Sequence, residues 1–393
     1  MVVSVDTLTM KPLLVTLEYP PQVGGVAHYY EHLVKYFPED LAVLTLPLVS
    51  ATEQAQEQAQ EPARGKLIRQ PLINNKWFIL KWLPSIKYIL NEARQQEADY
   101  FLVGQILPLG LPVWLAAKFL NKPYSVFLHG YDYALTRQNW RKRRVADFVI
   151  RHADKIICAN NHTADLVKRD NLSAVWPKVK VVNPGVDDGV WAYDQAALDS
   201  LRLRYHLTGK KIVLTVGRLV KRKGADLVIN VWPEVSRSQP DAVYVIIGQG
   251  AEKANLRALI KEKNLEQAVL LLTKVDDEGK KQWLQLADIF IMATRDDPTD
   301  FEGFGIVYLE AGLAAKPVIA ARAGGVADAV VDNVTGLLVD SSKSEEISGA
   351  IVKLLAYPNL AQRLGEAGRW RARRDFAWDQ QARKVYDLLK AKG

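Results

Sequence analysis

Short, wholly apolar runs alternate with helix-length amphipathic stretches along almost the whole chain. That alternation predicts an α/β protein with a mostly parallel sheet covered on both faces. PLLVTLE (12 to 18), LAVLTL (41 to 46), YFLVGQ (100 to 105), YSVFLHG (124 to 130) and KIICAN (155 to 160) are the expected strands of one doubly wound domain. Turn formers then crowd the stretch NPGVDDGVWAYDQAALDS (183 to 200). A second series follows with KIVLTVG (211 to 217), AVYVIIG (242 to 248), AVLLLT, DIFIMAT and PVIAAR. Two doubly wound domains of similar size, joined near residue 190, are therefore expected. In such folds ligands bind at the carboxyl ends of the strands, so the active site is expected in a cleft between the two.

With 393 residues, 49% apolar and 24% charged, the chain is neither disordered, collagen-like nor a disulfide miniprotein. Its single cysteine, Cys158, can neither close an internal disulfide nor build a thiolate metal cluster. A reducing interior such as the cytosol is the expected compartment. The start, MVVSVDTLTMKPLLVTLEYPP, lacks the charged region and long apolar core of a leader. No apolar run reaches the ~18 to 20 residues that span a bilayer, so a soluble protein is expected. Lys and Arg outnumber Asp and Glu by 52 to 44, and the net charge of +8 favours an anionic partner.

Three segments stand outside the strand pattern. ATEQAQEQAQEPARG (51 to 65) is polar and of low complexity, and reads as a loop or solvated helix end. KLIRQPLINNKWFILKWLPSIKYIL (66 to 90) mixes Lys66, Arg69, Lys76, Lys81 and Lys87 with Trp77, Phe78, Trp82 and Tyr88, and holds no acid. It suits either an amphipathic surface on anionic lipid or an ordinary domain helix with core aromatics and solvated lysines. RQNWRKRR (137 to 144) has the same two readings. No base-reading motif accompanies either, so nucleic acid is not an expected partner.

The densest chemical signal is DFEGFGIVYLEAGLAAKPVIA (300 to 320), where a glycine-bearing loop enters a helix. Amides near Gly303, Phe304 and Gly305 would point unpaired N–H groups at an anion. Glu302 and Glu310 would repel a phosphate, and make better sense accepting hydrogen bonds from sugar hydroxyls on either side of it. TVGRLVKRKGADLVI (215 to 229) places Arg218, Lys221, Arg222 and Lys223 between a strand and a helix, where they would neutralise a pyrophosphate leaving group. In PPQVGGVAHYYEHLV (20 to 34), Gly24 and Gly25 would allow close backbone approach to a ligand. His129 ends a strand, a position that favours a site role. GQGAEK (248 to 253) lacks the third glycine of a dinucleotide fingerprint, which disfavours a dehydrogenase. No Asp-x-Asp, Walker, HExxH or GxSxG motif occurs, so neither a cofactor nor metal-held nucleotide chemistry is expected.

Taken in order, VGGVAHY, FLHG, VVNPGVD, GRLVKRKG, FEGFGIVYLE and AGGVADAV followed by TGLLVD resemble family-4 retaining glycosyltransferases of the GT-B fold over nearly the whole chain. The resemblance implies a Rossmann-like acceptor-binding domain over 1–190, a donor-binding domain over 191–373, and a last helix within 374–393 that packs back on the first domain. It implies metal-independent transfer of a hexose from a nucleoside diphosphate sugar with retention of configuration. Arg218 and Lys223 would bind the donor phosphates and Gly25 would approach them. Glu302 would hold the sugar ring, Ile306 and Val307 would lie against the nucleotide, and Glu310 would bind its ribose. Val275 would meet the base, and His129 would sit near the reacting sugar. PPQVGGVAHY, VKRKG and EGFGIVYLEA are most similar to bacterial phosphatidylinositol mannoside mannosyltransferases, which implies GDP-mannose, a lipid-linked or glycan acceptor, and a peripheral place on the cytoplasmic membrane face. Ala315 stands where the family usually has glycine, Asp328 where it has glutamate, and Thr273 and Lys274 where it has a glycine turn. A UDP-sugar donor, a nucleotide-sugar epimerase or phosphorylase on the same fold, and a non-catalytic membrane-associated binding protein are the alternatives.

Overall fold

In the computed structural model, which describes residues 9–22, 24–48, 65–73, 81–170, 173–188, 194–297 and 300–391, the apolar runs are strands of two separate sheets. The chain divides into two compact units. One holds residues up to Gly185 together with those from Trp378 onward, and the other is Val186–Ala377.

The first unit contains β1 (Pro12–Val15), β2 (Ala42–Thr45), β3 (Leu67–Arg69), β4 (Tyr100–Val103), β5 (Tyr124–Leu128), β6 (Lys155–Cys158) and β7 (Val179–Val181). All pair in parallel, in the order β3-β2-β1-β4-β5-β6-β7. Side chains alternate across the sheet, so Leu13 and Val15 enter one apolar cluster and Leu14 the cluster on the opposite face. The sequence can afford no polar residue at these positions because helices cover both sides.

The second unit repeats the plan with β8 (Lys211–Val216), β9 (Ala242–Ile247), β10 (Val269–Leu272), β11 (Ile289–Met292), β12 (Val318–Ala321) and β13 (Gly336–Val339). Its order is β10-β9-β8-β11-β12-β13, again all parallel. Each sheet thus reverses its direction of growth once, between β1 and β4 in the first unit and between β8 and β11 in the second. The loops leaving those strands are where a doubly wound sheet presents its ligand site.

Several strands stop short of the apolar run because their last residues turn to build these loops. After β1, Thr16 bonds the Glu18 carbonyl through its hydroxyl (3.0 Å), and the Gln105 side chain holds the Leu17 amide (2.8 Å). After β5, Gly130 takes φ 108, a conformation open to glycine. After β6, Asn160 caps the helix Asn161–Arg169 by accepting from the Thr163 amide at 2.7 Å.

Segment 66–90 resolves into two elements rather than one amphipathic stretch: β3, paired to β2, and the helix Leu83–Gln95. The Arg69 guanidinium donates to the Leu46 and Pro20 carbonyls, and Tyr88 packs on the core. Those residues do structural work, while Lys76, Trp77 and Phe78 lie outside the described residues, as does segment 51–65 apart from Gly65. In 137–144, Arg137 is tied to Asp147 (2.6 Å) and Asp170 (3.0 Å), whereas Trp140 through Arg144 are exposed on the helix Trp140–His152.

The last helix, Trp378–Lys390, belongs to the first unit. Trp378, Ala382, Val385, Tyr386 and Leu389 recur at helical spacing and join Tyr29, Leu33 and Val34 of the helix Gly25–Tyr36, and Phe37 just after it, in one buried cluster. At about 1.5–3 kcal/mol for each large side chain, this contact is a substantial part of the unit's stability. Immediately before it, Val186 donates to the Phe376 carbonyl (2.7 Å) and bridges Ala377, so the second unit begins and ends at one place. Among the described residues, no helix is long and apolar enough to cross a membrane.

Candidate active site

In the second unit the loop after β8 is shaped by backbone crowding. Gly224 takes φ 69, and a Cβ there would lie 1.8 Å from the Ala293 carbonyl oxygen. Leu219 donates to the Gln249 carbonyl (2.7 Å), and Arg295 donates to the Arg222 carbonyl (2.8 Å). Held this way, the short 3-10 turn Lys221–Lys223 directs two of the four cations inward. Arg222 Nη1 and Lys223 Nζ both donate to Glu302 Oε2 at 2.7 Å, and Arg222 Nε pairs with Asp300 at 2.9 Å. Arg218 and Lys221 remain exposed.

Glu302 lies in the loop between β11 and the helix Ile306–Leu313. Its carbonyl accepts from the Gly325 amide (2.9 Å), and a Cβ on Gly324 would collide with that oxygen at 2.3 Å. The AGGV segment is therefore the backbone support of Glu302. Burial alone would raise the Glu302 carboxyl, but Lys223 and Arg222, joined by Arg218, outweigh it and hold it below the ordinary range.

The same loop ends in Gly305 at φ 81, where a side chain would strike the Tyr308 ring. The helix begins at Ile306, so the first-turn amides of Ile306 and Val307 have no partner within it. Ile306 and Val307 are half-buried, as is Gly303. Phe304 is buried against Phe376, so it offers the site main chain only. One turn on, Glu310 Oε1 accepts from Lys280 Nζ at 3.1 Å. Burial works against the Lys280 charge, yet Glu310 and Asp277 more than compensate and raise its pKa. Val275 follows β10, half-buried, just before the helix Asp277–Leu286 that carries Lys280.

In the first unit, His129 follows β5. Its Nε2 lies 2.8 Å from the Tyr30 hydroxyl, which itself donates to the Gly104 carbonyl. Tyrosine has one hydroxyl proton, so His129 is the donor to Tyr30 and its Nδ1 carries the lone pair. Burial pushes the His129 pKa down to about 4, which leaves the ring neutral at physiological pH. Asp132, one turn away, accepts from the His129 amide at 3.0 Å. Burial pushes its carboxyl up to about 6 against the donors around it. Gly25 opens the helix Gly25–Tyr36, and a Cβ there would meet nothing within 4 Å. Packing gives no reason for glycine at that position.

Among the predicted residues, Lys223 and Glu302 are in direct contact, with Arg218 close enough to act on the Glu302 charge. Glu302 and Glu310 flank the amide end of one helix, and Val275 lies on the approach to Glu310's partner Lys280. His129 and Gly25 belong to the first unit. Sequence reasoning gave no individual role to Arg222, Lys280, Asp300 or Asp132. The turn Lys221–Lys223 selects Arg222, and only tertiary contact selects Lys280.

The model for "Glycosyltransferase Family 4" matches residues 23–190, and that for "Glycosyl transferases group 1" matches 204–371. The chain belongs to the glycosyltransferases. This glycosyltransferase is 29% identical over 388 residues to the GDP-mannose-dependent alpha-(1-6)-phosphatidylinositol monomannoside mannosyltransferase of Mycolicibacterium smegmatis, covering 96% of this chain and 97% of the relative. It is 28% identical to the corresponding enzyme for the monoacylated monomannoside from Corynebacterium glutamicum, over 97% and 98% of the two chains. Its fold is GT-B, shared with the Anabaena protein HepE solved with UDP (TM-score 0.81, 20% identity, 97% and 99% covered). Sucrose-phosphate synthase from Thermosynechococcus elongatus matches similarly (TM-score 0.80, 20% identity, 97% and 98% covered).

Proposed function

We propose that this glycosyltransferase transfers mannose from GDP-mannose to a lipid-linked acceptor, with retention of anomeric configuration and without an essential metal ion. The observation that carries the reading is the buried Glu302 carboxylate held by Arg222 and Lys223 at the switch point of the second sheet. The names of the relatives from M. smegmatis and C. glutamicum support the donor and the lipid class. Arg218 and Lys221, exposed beside the Glu302 pair, and Lys223 can neutralise a pyrophosphate, so a metal ion is not needed for that task.

In this reading the bond from the anomeric carbon to the β-phosphate oxygen breaks while the acceptor oxygen bonds to the same face. The acceptor proton passes to the departing phosphate oxygen. Lys223, Arg218 and the amides of Ile306 and Val307 receive the charge that develops on the leaving group. Glu302 orients the sugar through its hydroxyls, Glu310 takes the ribose, and Val275 meets the base through its backbone. A neutral His129 acts as a hydrogen-bond acceptor for a donor hydroxyl rather than as a cation. Trp140, with Arg141 and Arg144 stacked at 5.2 and 5.1 Å, supplies an exposed aromatic and basic face for an anionic lipid surface.

The test is a donor panel of GDP-mannose, UDP-glucose and ADP-glucose with phosphatidylinositol mannosides as acceptor, run with and without EDTA. Mannosyl transfer that is selective for GDP-mannose, insensitive to EDTA and α-configured by NMR is expected. UDP-selective transfer would move the donor, a second reading favoured by the UDP bound to the HepE structure. Absence of nucleotide binding would reject the donor-site assignment.

A further inference from the structure

We propose that His28, Glu31 and His32 form a binding site for a divalent transition-metal ion of the zinc type, outside the groups assigned to sugar transfer. The three occupy positions i, i+3 and i+4 of the helix Gly25–Tyr36, so helical geometry puts them on one face. One ring nitrogen from each histidine and one Glu31 carboxylate oxygen all lie within 4.8 Å of one another. Two imidazoles and a carboxylate are a donor set that suits zinc and its neighbours, with positions left for water.

The surroundings favour chelation over a casual cluster. His32 Nδ1 lies 3.0 Å from the His28 carbonyl oxygen and 3.9 Å from Glu31 Oε2, so this edge of the ring faces the other two donors. The His32 ring is further oriented by stacking on Trp378 (5.3 Å, 30°) and Tyr36 (6.4 Å, 24°). His28 Nδ1 stands 3.6 Å from Glu31 Oε2, and the two imidazole rings are centred 4.0 Å apart. The side chains are 46%, 33% and 13% exposed for His28, Glu31 and His32, which leaves an entry path for the ion.

The consequence is mechanical. Tyr29 and Tyr30, between the ligands, pack their rings on His129, and Trp378 opens the last helix. An ion held by His28, Glu31 and His32 cross-links two turns of the helix at the place where it meets both. It therefore stabilises the first unit by mass action, by an amount that rises with the logarithm of free ion over dissociation constant.

The experiment uses the full chain with any purification tag removed. Zn2+ alone is titrated calorimetrically at pH 7.5, and Co2+ is followed by its visible absorption. One saturable site is expected, with affinity reduced at least tenfold in His28→Ala, His32→Ala and Glu31→Gln and unchanged in His152→Ala. In EDTA His28→Ala, Glu31→Gln and His152→Ala should melt with the wild type and His32→Ala lower, for the stacking it loses, while only the wild type and His152→Ala should gain melting temperature with Zn2+. No saturable binding up to about 1 mM, or equal binding by the His28→Ala and His32→Ala variants, overturns the proposal.

Discussion

Replacing Glu302 by Gln should destabilise the second unit, slow transfer and yet tighten the binding of free GDP. The carboxylate, Arg222 and Lys223 are only 9%, 11% and 13% exposed, so solvent screens their contact weakly. Removing one partner of such a buried group costs about 3–5 kcal/mol, and the amide keeps part of the hydrogen bonding, so about 2–3 kcal/mol is expected. For a unit of this size that lowers Tm by roughly 5–10 °C. The Glu302 carboxyl is held below its ordinary range, so its contribution is present above the unfolded pKa of about 4.3 and is lost as pH falls through the folded value. The gap between wild type and variant should therefore narrow as pH falls below about 4.3. Both cations, no longer neutralised, become available to phosphate. At an effective dielectric constant of ~20, a unit charge ~8 Å away is worth about 2 kcal/mol, so a phosphate bound at that range would gain ~30-fold in affinity. If Glu302 orients the sugar as proposed, transfer should fall by about 10²–10³. Melting curves, GDP calorimetry and single-turnover transfer measure the three effects. A Gln variant that melts with the wild type and binds GDP no more tightly refutes the ion-pair reasoning, whatever its turnover.

Gly25→Ala should leave stability within about 0.5 kcal/mol and weaken donor binding, whereas Gly224→Ala should cost at least about 3 kcal/mol because its Cβ meets the Ala293 oxygen at 1.8 Å; thermal melts and donor titration separate the two. His129, pushed down to about 4, binds its proton later in the folded state than in the unfolded chain, so its contribution to stability is lost as pH falls from about 6.5 toward 4, by about 2 kcal/mol at pH 5. Asp132, pushed up to about 6, acts in the opposite sense, its cost at neutral pH being relieved as pH falls. Denaturant midpoints between pH 7 and 5 should fall less for His129→Gln than for wild type, and more for Asp132→Asn; parallel profiles for all three contradict the assignment. Ala315→Gly should raise Tm, since Ala315 sits at φ 54 where left-handed backbone costs a non-glycine residue about 1 kcal/mol.

The alternation of apolar runs makes the two sheets legible in the sequence, because a parallel strand covered on both faces tolerates little else. β3 was hidden by its own composition: Leu67–Arg69 sits among lysines and aromatics, and pairing with β2, not propensity, makes it a strand. Ala315 stands where the family resemblance implies glycine, and its φ of 54 supplies the physical reason the position matters. Lys223 and Glu302 were readable from their loops. The choice of Arg222 over Arg218 as the second partner was not, because it depends on a turn fixed by Gln249 and Arg295, 27 and 73 residues further along the chain. Lys280 reaches Glu310 across 30 residues, and no local pattern records that distance.

Because Val186 and Ala377 are bridged, the second unit is a guest inserted into the first through a single doorway. A segment whose two ends meet closes as a loop at little entropic expense, and can be lifted from one host and set into another without stretching either. Residues 186–377 can thus be exchanged as a cassette during evolution, while the first unit is completed by its own terminal helix.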